Sequence, residues 1–517
     1  MEQALLDKEV LCIVDTRGIQ KFIFHSNSMA DTVGANNLMR HMLEDAFVYA
    51  AAHISPPLAP DEYCLTASEE NAPVPYFEDT KVKAQVITCA AGNMIAIFRT
   101  GALCRDMVRK ISRYYVDNTY AQQIASAYVE KTDNNLQDID NLYKKLGNIK
   151  DDFAGSHPLD VLPIIRTEKN TGEPVAAIDP VTGEELSRVT LIRRAEFAQM
   201  NSLLSSVNVN TFPAEDGREY YAVAHLDGNN MGASISMLLH RAKNYEEDIR
   251  LRRIINTNLT RGITAAVQHA LDDMKTILHL TEEELDSAIR IVHFGGDDLN
   301  IIADPRVIFT FTECYVRHLK DVPILAVDDF RFQMSICAGI AFVQKDVPFI
   351  DAFGIAEECC SGAKKEAKKP ENLIDGKIGN WVDFRFCYAD SLRDGSSDPK
   401  SAFITPDGVR LMLRPYCLDE AMQYTPQSYD AFRRRALSFR ELGLSKENRE
   451  QILRAYDLGR KDITLVSALL SASGYPVAER CGEPLLRQSD GMYAVWYDAM
   501  EVSELFCDDP SAVTGKE

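Results

Sequence analysis

Two stretches of the chain repeat the same order of apolar and polar positions. In each stretch an apolar strand ends at an aspartate, helical periodicity follows, and two short strands then flank a turn that contains glycine. The aspartates are Asp15 and Asp227, and the turns lie at Gly92 and Gly296. The separations from aspartate to glycine are similar, at 77 and 69 residues. The pattern predicts two copies of one αβ module.

The periodicity also predicts the elements within and after these copies. In chain order we predict a strand at 8–14, a helix at 27–53, two strands within 84–98, a helix at 102–130, a strand at 219–226, helices at 229–240 and 245–276, a hairpin at 289–303, a helix at 306–320, a strand at 331–342 and a helix at 350–369. Turn signals predict a loop over 376–400, and from residue 418 onward the pattern is mostly helical.

These elements divide the chain into four predicted segments. They are a first module over 1–130, a connecting helical and linker segment over 131–215, a second module over 216–405 and a helical C-terminal domain over 406–517. Because 517 residues exceed what a single hydrophobic core usually contains, several domains are expected.

Composition narrows the class of protein. The apolar fraction of 46% and the charged fraction of 26% are those of an ordinary soluble globular protein. A formal net charge of −21 argues against binding of nucleic acid over the whole surface, although a local basic groove stays open. The twelve cysteines contain no Cys-x-x-Cys pair and are expected to be reduced. With no signal peptide and no apolar run of membrane-spanning length, we expect a cytoplasmic protein without membrane association.

The turn of the second predicted hairpin carries candidate chemistry. Gly295 and Gly296 precede two adjacent carboxylates, Asp297 and Asp298, with an apolar run on either side. The glycines allow a tight turn and let a nucleotide lie against the backbone. Carboxylates are the hard oxygen ligands that Mg²⁺ and Mn²⁺ prefer. The alternative is an ordinary tight turn with two solvated acids.

Asp227 supplies a third carboxylate if its strand lies beside the hairpin. Asp227, Asp297 and Asp298 would then hold two Mg²⁺ or Mn²⁺ ions for phosphoryl chemistry. Gly228, on the bend, could offer its carbonyl oxygen to a metal. The helix that follows, with Asn230 in its first turn, would point backbone N–H groups toward phosphate. The alternative is that Asp227 and Asn229 only cap that helix.

The first copy lacks the paired acids. Aligned on its glycine, the segment Ala91-Gly92-Asn93-Met94 stands where the second copy has Gly295–Asp298. One copy is therefore expected to hold metal in its hairpin and the other is not.

At this point the residues resemble the large subunit of type III CRISPR effector complexes, a family with two palm domains of the polymerase and cyclase type. The motifs that carry this resemblance are Asp15-Thr-Arg-Gly18-Ile19-Gln20-Lys-Phe22-Ile23-Phe24, Asp227-Gly228-Asn229-Asn230-Met231-Gly232, Gly295–Asp298, Ala363-Lys364 and Arg414-Pro415-Tyr416. The resemblance covers about residues 8–130 and 215–420.

The resemblance implies an α+β fold with two ferredoxin-like palm domains and a helical C-terminal domain. It implies a nucleotidyltransferase with ATP as substrate, without excluding other nucleoside triphosphates, and a cyclic oligoadenylate second messenger of antiviral defence as product. Asp227, Asp297 and Asp298 would be catalytic, Gly228, Asn230, Gly295 and Gly296 would bind nucleotide, and Lys364 would neutralise triphosphate charge. RNA or effector-complex subunits would bind through the C-terminal helical domain, and a homo-oligomer is compatible with this reading.

The chain departs from that family in two respects. It starts at the first palm without a His-Asp nuclease domain, and no cysteine-rich zinc module separates the palms. We therefore expect a reduced effector subunit or a stand-alone relative, whose first palm binds an acceptor nucleotide without metal. Two alternatives stay open: another palm-type cyclase that makes a cyclic mononucleotide or dinucleotide, and a catalytically silent scaffold that binds RNA and partners.

Overall fold

The computed structural model of the chain divides into two units that alternate along the sequence. One unit comprises Met1–Val207, Met231–Ile263 and Ile324–Phe332, and the other comprises Asn208–Asn230, Thr264–Pro323 and Gln333–Glu517. The structure describes residues 3–24, 26, 28–65, 72–90, 92–120, 122–152, 164–200, 211–213, 219–321, 325–327, 329–387, 403–488 and 491–506. In these ranges no helix is both long enough and apolar enough to cross a membrane.

The first module is a five-stranded sheet with helices on both faces. Its elements are β1 (Val10–Arg17), α1 (Ile19–Phe24), α2 (Met29–His53), β2 (Tyr63–Cys64), α3 (Pro75–Glu78), β3 (Ala84–Ala90), β4 (Asn93–Phe98), α4 (Gly101–Thr119), β5 (Gln123–Glu130) and α5 (Asn135–Asp152). The strand order is β2-β3-β4-β1-β5, and the pairs β3–β4, β4–β1 and β1–β5 are antiparallel. The order β3-β4-β1-β5 is that of a ferredoxin-like sheet.

The continuous apolar run of β1 follows from burial on both faces. Val10, Cys12 and Val14 belong to a core that α2 and α4 complete. Leu11 and Ile13 face the opposite side, in a core that includes α5. Because successive side chains of a strand point to opposite faces, a strand covered on both sides needs apolar residues at every position.

The prediction of one helix over 102–130 is wrong in its last part. Helix α4 ends at Thr119, and β5 pairs with β1 along its whole length. The residue that ends the helix is Tyr120, in the left-handed conformation with φ of 59°. Sequence patterns identify a helix end by glycine or asparagine at this position, so the tyrosine concealed the boundary.

The segment between the modules contains a hairpin and a helix among its described residues. These elements are β6 (Val175–Ile178), β7 (Glu185–Ser187), α6 (Arg188–Met200) and β8 (Phe212–Pro213). Strands β6 and β7 form an antiparallel pair, and α6 packs against α2.

The second module repeats the strand order of the first. In chain order the elements from Glu219 to Cys387 are β9 (Glu219–Gly228), α7 (Met231–Leu239), α8 (Tyr245–Ile277), α9 (Glu282–Ala288), β10 (Ile289–Gly295), β11 (Asp298–Ala303), α10 (Ile308–Asp321), β12 (Leu325–Val327), β13 (Phe330–Phe332), β14 (Ile336–Gln344), α11 (Phe349–Ala367) and β15 (Trp381–Cys387). Of these, α7, the first part of α8, β12 and β13 belong to the first of the two units. The order β10-β11-β9-β14 is again ferredoxin-like, with antiparallel neighbours. The expected α+β fold with two ferredoxin-like palm domains is confirmed.

The predicted loop over 376–400 contains a strand. Residues Trp381–Cys387 form β15, which pairs with β14 in parallel and extends the sheet. Asp-Gly turn signals on one side and Asp-Gly-Ser-Ser on the other led us to predict a loop, and residues 388–400 lie outside the described ranges. The pairing that stabilises β15 is with a strand before α11, which local sequence does not reveal.

The C-terminal part is mostly helical, as predicted, with a small sheet in addition. Its elements are β16 (Val409–Arg410), β17 (Tyr416–Cys417), α12 (Tyr429–Glu441), α13 (Lys446–Leu458), α14 (Arg460–Ala472), α15 (Val477–Cys481), β18 (Leu485–Gln488), β19 (Gly491–Ala494) and α16 (Tyr497–Glu501). Strand β17 pairs with β15, and the other three strands form a sheet in the order β16-β19-β18.

Candidate active site

The hairpin of the second module has a two-residue turn. Gly295 is the last residue of β10 and pairs with Asp298, the first residue of β11, so Gly296 and Asp297 form the turn. Gly296 has φ of +65°, which disfavours other residues, and a side chain there would meet no atom within 4 Å. The turn is therefore tight, and its tip is free of steric hindrance.

The central strand β9 brings the third carboxylate to this turn. Strand β11 pairs with β9 through Leu299 and Leu226, which places Asp298 beside Asp227 at the end of the ladder. The carboxyl group of Asp227 is close enough to Asp298 to raise its pKa. A Cβ atom placed on Gly228 would lie 2.7 Å from the Cβ atom of Asp297. The structure therefore brings Asp227, Asp297 and Asp298 together, and Gly228 leaves the room that Asp297 needs.

Burial and the charges of neighbouring acids make Asp297 and Asp298 hard to ionise. Burial, together with the negative charges of Asp227 and Asp297, raises the pKa of Asp298 to about 7. Burial also raises the pKa of Asp297, with a contribution from Asp227. Three acids held this close together, two of them with raised pKa values, favour a bound cation that compensates their charge.

A positively charged side chain, that of Lys364, lies beside these carboxylates. The ammonium of Lys364, on α11, forms an ion pair with Asp227. Burial alone would lower the pKa of Lys364, but the hydrogen bond and the charge of Asp227 outweigh it and raise the pKa. Because one ammonium faces three carboxylates, the site retains excess negative charge. Carboxylate oxygens are also the hard donors that Mg²⁺ and Mn²⁺ prefer.

The bend after β9 is held by a buried amide. Asn229 donates from its side chain to the hydroxyl of Ser335 and to the carbonyl of Gly379, each at 3.1 Å. Asn230 is exposed and has φ of 59°, a conformation that asparagine adopts more readily than most residues. Asn229 therefore fixes the bend rather than capping α7, and Asp227 is engaged by Lys364 instead of by a helix cap.

Comparison with known proteins assigns this module to a family. Residues 220–373 match the family model described as Cas10/Cmr2, second palm domain. The second module is a Cas10/Cmr2-type second palm domain. The resemblance to the large subunit of type III CRISPR effector complexes is thereby confirmed for the part of the chain that carries Asp227, Asp297, Asp298 and Lys364. No curated protein matches the chain in sequence.

Solved structures are similar over nearly the whole chain. A crystal structure of an apo Csm1–Csm4 cassette is 14% identical with a TM-score of 0.51, over 98% of this chain and 71% of that one. A Csm1–Csm4 cassette in complex with cA4 is 13% identical with a TM-score of 0.49, over 96% and 70% of the two chains. Csm1 of T. onnurineus is 13% identical with a TM-score of 0.49, over 98% and 70%. At these identities the likeness concerns the fold.

The first module has a hairpin equivalent to that of the second palm domain, but the sequence alignment of the two was off by one residue. In the first module Ala90 pairs with Asn93, as Gly295 pairs with Asp298 in the second palm domain. Asn93 therefore corresponds to Asp298, and Gly92 corresponds to Asp297. Met94, which we had aligned with Asp298, is a buried core residue. An alignment of glycine with glycine is shifted by one residue because Gly92 is the second residue of its turn, whereas Gly296 is the first residue of its turn.

The first module also retains a charge pair that the sequence did not reveal. Lys150, on α5, lies 2.7 Å from Asp15, the residue that pairs with Asn93. Helix α5 follows β5, the last strand of the ferredoxin-like order in its module, as α11 follows β14 in the second palm domain. Lys150 and Lys364 each follow the first residue of their helix by fifteen positions. This shared offset is the signal that could have identified Lys150.

Gly339, on β14, lies directly under helix α11. A Cβ atom there would lie 2.0 Å from the carbonyl oxygen of Ala356 and 2.3 Å from the amide nitrogen of Cys360. Gly339 therefore permits α11 to approach the sheet, and this approach is what brings Lys364 to Asp227.

Proposed function

We propose that the chain is a metal-dependent nucleotidyltransferase that converts ATP to a cyclic oligoadenylate and releases pyrophosphate, as part of a CRISPR-type antiviral defence in the cytoplasm. The observation that carries the proposal is the convergence of Asp227, Asp297 and Asp298 on an open turn, with Lys364 as the one cation of the group among the described residues. The second palm domain of the Cas10/Cmr2 family is the setting in which such a group is expected.

Each residue has a separate task in this proposal. Asp227, Asp297, Asp298 and the carbonyl of Gly228 would hold two divalent ions, which when bound supply an activated hydroxyl and stabilise the leaving pyrophosphate. Gly295 and Gly296 let the nucleotide lie against the turn, and Asn230, which is exposed, would contact the nucleotide. Lys364 would leave Asp227 and contact the triphosphate oxygens, whose negative charge its ammonium offsets.

The reaction is an in-line displacement at phosphorus. The oxygen of a 3′-hydroxyl bonds to the α-phosphorus of an ATP, the bond between the α-phosphorus and the bridging oxygen breaks, and pyrophosphate leaves with the electron pair. The hydroxyl proton is released to solvent. Positioning and charge stabilisation are the contributions that the protein can make to such a step.

The first module would bind the acceptor nucleotide without metal. Its hairpin has Gly92 and Asn93 where the second palm domain has two acids, so its donor set is too poor for a two-ion site. The retained pair of Asp15 and Lys150 offers an ammonium that a phosphate group can recruit. RNA or effector-complex subunits would bind elsewhere, through the C-terminal helices.

The experiment is incubation of the purified chain with each labelled nucleoside triphosphate and Mn²⁺, with and without RNA, followed by mass spectrometry of the products. Cyclic oligoadenylate formed from ATP supports the proposal. Formation of a cyclic mononucleotide or dinucleotide would change the assigned product but would still support nucleotidyl transfer. Turnover that is unchanged by Asp297→Asn together with Asp298→Asn would favour a scaffold.

A further inference from the structure

A histidine and a cysteine lie beside Asp227 on the face of the sheet that α11 covers. His225 and Asp227 are two positions apart on β9 and therefore point to the same face. Cys360 lies on α11, one helical turn before Lys364. One donor atom from each of His225, Asp227 and Cys360 lies within 4.8 Å of the other two. His225 and Cys360 are buried, whereas the side chain of Asp227 is 27% exposed and gives access from solvent.

The orientation of the imidazole leaves a lone pair for a ligand. Nδ1 of His225 lies 2.7 Å from Oδ1 of Asn300, a buried residue that pairs with His225 across β9 and β11. An amide oxygen can only accept, so Nδ1 is the donor, and in the neutral imidazole the lone pair lies on Nε2. Among the described residues this is the ring's one hydrogen bond. Histidines that bind metals typically have such a partner on the other ring nitrogen.

We propose that His225, Asp227 and Cys360 bind a thiophilic divalent cation, with Zn²⁺ as the best match. A thiolate, an imidazole and a carboxylate are the ligands that Zn²⁺ takes in proteins, whereas Mg²⁺ prefers oxygen alone. Three protein ligands leave a fourth tetrahedral position for water. The donor set therefore differs from that of the turn carboxylates, although Asp227 belongs to both.

The geometry requires only small movements. Metal–ligand distances of about 2.0–2.3 Å imply donor atoms on the order of 3.5 Å apart in a tetrahedral site, so the three side chains must close by about 1 Å. As the sulfur–metal bond forms, the Cys360 thiol releases its proton to solvent and gives up its contact with the carbonyl of Cys337. The carboxylate of Asp227 exchanges the ammonium of Lys364 for the metal.

Occupancy would switch off the neighbouring site, an effect that rests on the proposed nucleotidyltransferase function. A metal on this face withdraws Asp227 from the set it forms with Asp297 and Asp298 and leaves Lys364 without its partner. Zn²⁺ is thus expected to inhibit turnover in the presence of a large excess of Mg²⁺.

The binding test uses the full reduced chain with Co²⁺ as a spectroscopic substitute for Zn²⁺. The wild-type chain is expected to show a near-ultraviolet charge-transfer band from thiolate to Co²⁺ that Zn²⁺ abolishes. Cys360→Ser should remove the band, and Cys359→Ser should keep it, since Cys359 is equally buried on the same helix but is not among the three ligands. A band that is absent from the wild-type chain, or that survives Cys360→Ser, would overturn the proposal.

Two further variants separate metal binding from folding defects. Asn300→Asp keeps an oxygen for Nδ1 and should keep the Co²⁺ affinity, whereas Asn300→Leu should lower it by about 10–100-fold. Equal affinities in both variants would contradict the assigned role of the imidazole. A simple loss of fold would show as a loss of the circular dichroism signal.

Turnover is measured separately, so that the two proposals can fail independently. With metal-free buffers and added Mg²⁺, absence of nucleotide turnover would refute the nucleotidyltransferase while the Co²⁺ band stands. Turnover that Zn²⁺ inhibits equally in wild type and Cys360→Ser, each normalised to its own rate without zinc, would refute the inhibitory site alone.

Discussion

The ammonium of Lys150 lies 2.7 Å from Asp15, at the place in the first module where Lys364 meets Asp227 in the second. In both modules the lysine is on the helix that follows the last strand of the ferredoxin-like order, and the aspartate is near the end of the first strand. The first module has therefore kept this charge pair although its hairpin has Asn93 in place of Asp298. A charge pair without the acids can contact phosphate but has little to hold a metal.

Lys364→Ala is expected to lower the rate of nucleotide turnover by about 100-fold, because a charge that offsets the triphosphate is lost. Steady-state kinetics with ATP and Mn²⁺ measures this effect. Lys368→Ala is the matched control, since Lys368 is an exposed lysine one helical turn after Lys364, at the end of α11. Equal losses in the two variants would show that a general positive surface, and not the position of Lys364, matters.

Lys150→Ala is expected to raise the KM for ATP without changing the metal requirement, because the first module would contact phosphate without an ion. The control is Lys144→Ala, on the same helix, where Lys144 pairs with the exposed Asp140. Turnover measured across ATP and Mn²⁺ concentrations separates the two parameters. A Lys150→Ala chain with unchanged KM would remove the first module from the reaction.

Asp298→Asn is expected to stabilise the metal-free chain at pH 8. The pKa of Asp298 is about 7 in the fold and about 4 in an unfolded chain, so its ionisation destabilises the fold progressively between these values and fully above 7. Removing the charge of Asp298 should raise the free energy of unfolding by about 2 kcal/mol at pH 8, after allowance for partial solvent access. Thermal unfolding at pH 4 and pH 8 should show the gain at pH 8 alone. A gain in stability of the same size at both pH values would contradict the raised pKa of Asp298.

The same pKa predicts how metal affinity depends on pH. Below about pH 7 a metal ion must displace the proton of Asp298, so the apparent dissociation constant for Mn²⁺ should fall by up to about tenfold per pH unit as the pH rises to 7, and then level off. Calorimetric titration with Mn²⁺ at pH 6, 7 and 8 measures this change. Affinities that are equal at pH 6 and pH 8 would argue against Asp298 as a ligand.

Gly228→Ala is expected to lower turnover by about 100-fold while the fold persists. A Cβ atom at this position would press on Asp297 and lie 2.9 Å from the sulfur of Met334, which displaces the turn. Gly354→Ala on α11 is the control, because a Cβ atom there meets no atom within 4 Å. Turnover and circular dichroism of both variants decide whether displacement of Asp297 is the cause.

Much of the fold could be predicted because its signals are local. The apolar strands before Asp15 and Asp227 and the glycine turns identified the repeat, and the periodicity of α8, α10 and α11 was clear. Strand β5 was missed because Tyr120 ends the preceding helix in a conformation that sequence patterns assign to glycine. Strand β15 was missed because its partner β14 lies before an intervening helix. The division into four segments stays a prediction.

The candidate site was only partly accessible to sequence reasoning. Asp227, Asp297 and Asp298 lie on adjacent strands of a predictable sheet, so their proximity followed from the expected topology. Lys150, His225 and Cys360 depend on how a helix lies across the sheet, which glycine positions such as Gly339 determine. Packing of that kind is not visible in periodicity, and the roles of all these residues stay predictions.

The most direct test of the central claim compares wild type with the double variant Asp297→Asn and Asp298→Asn, using radiolabelled ATP, Mn²⁺ and mass spectrometry of the products. We predict that wild type releases pyrophosphate and forms cyclic oligoadenylate, and that the double variant loses at least about 1,000-fold of this activity while keeping its fold. Equal turnover by the two chains, or the absence of any nucleotide product from wild type with and without RNA, would contradict the account.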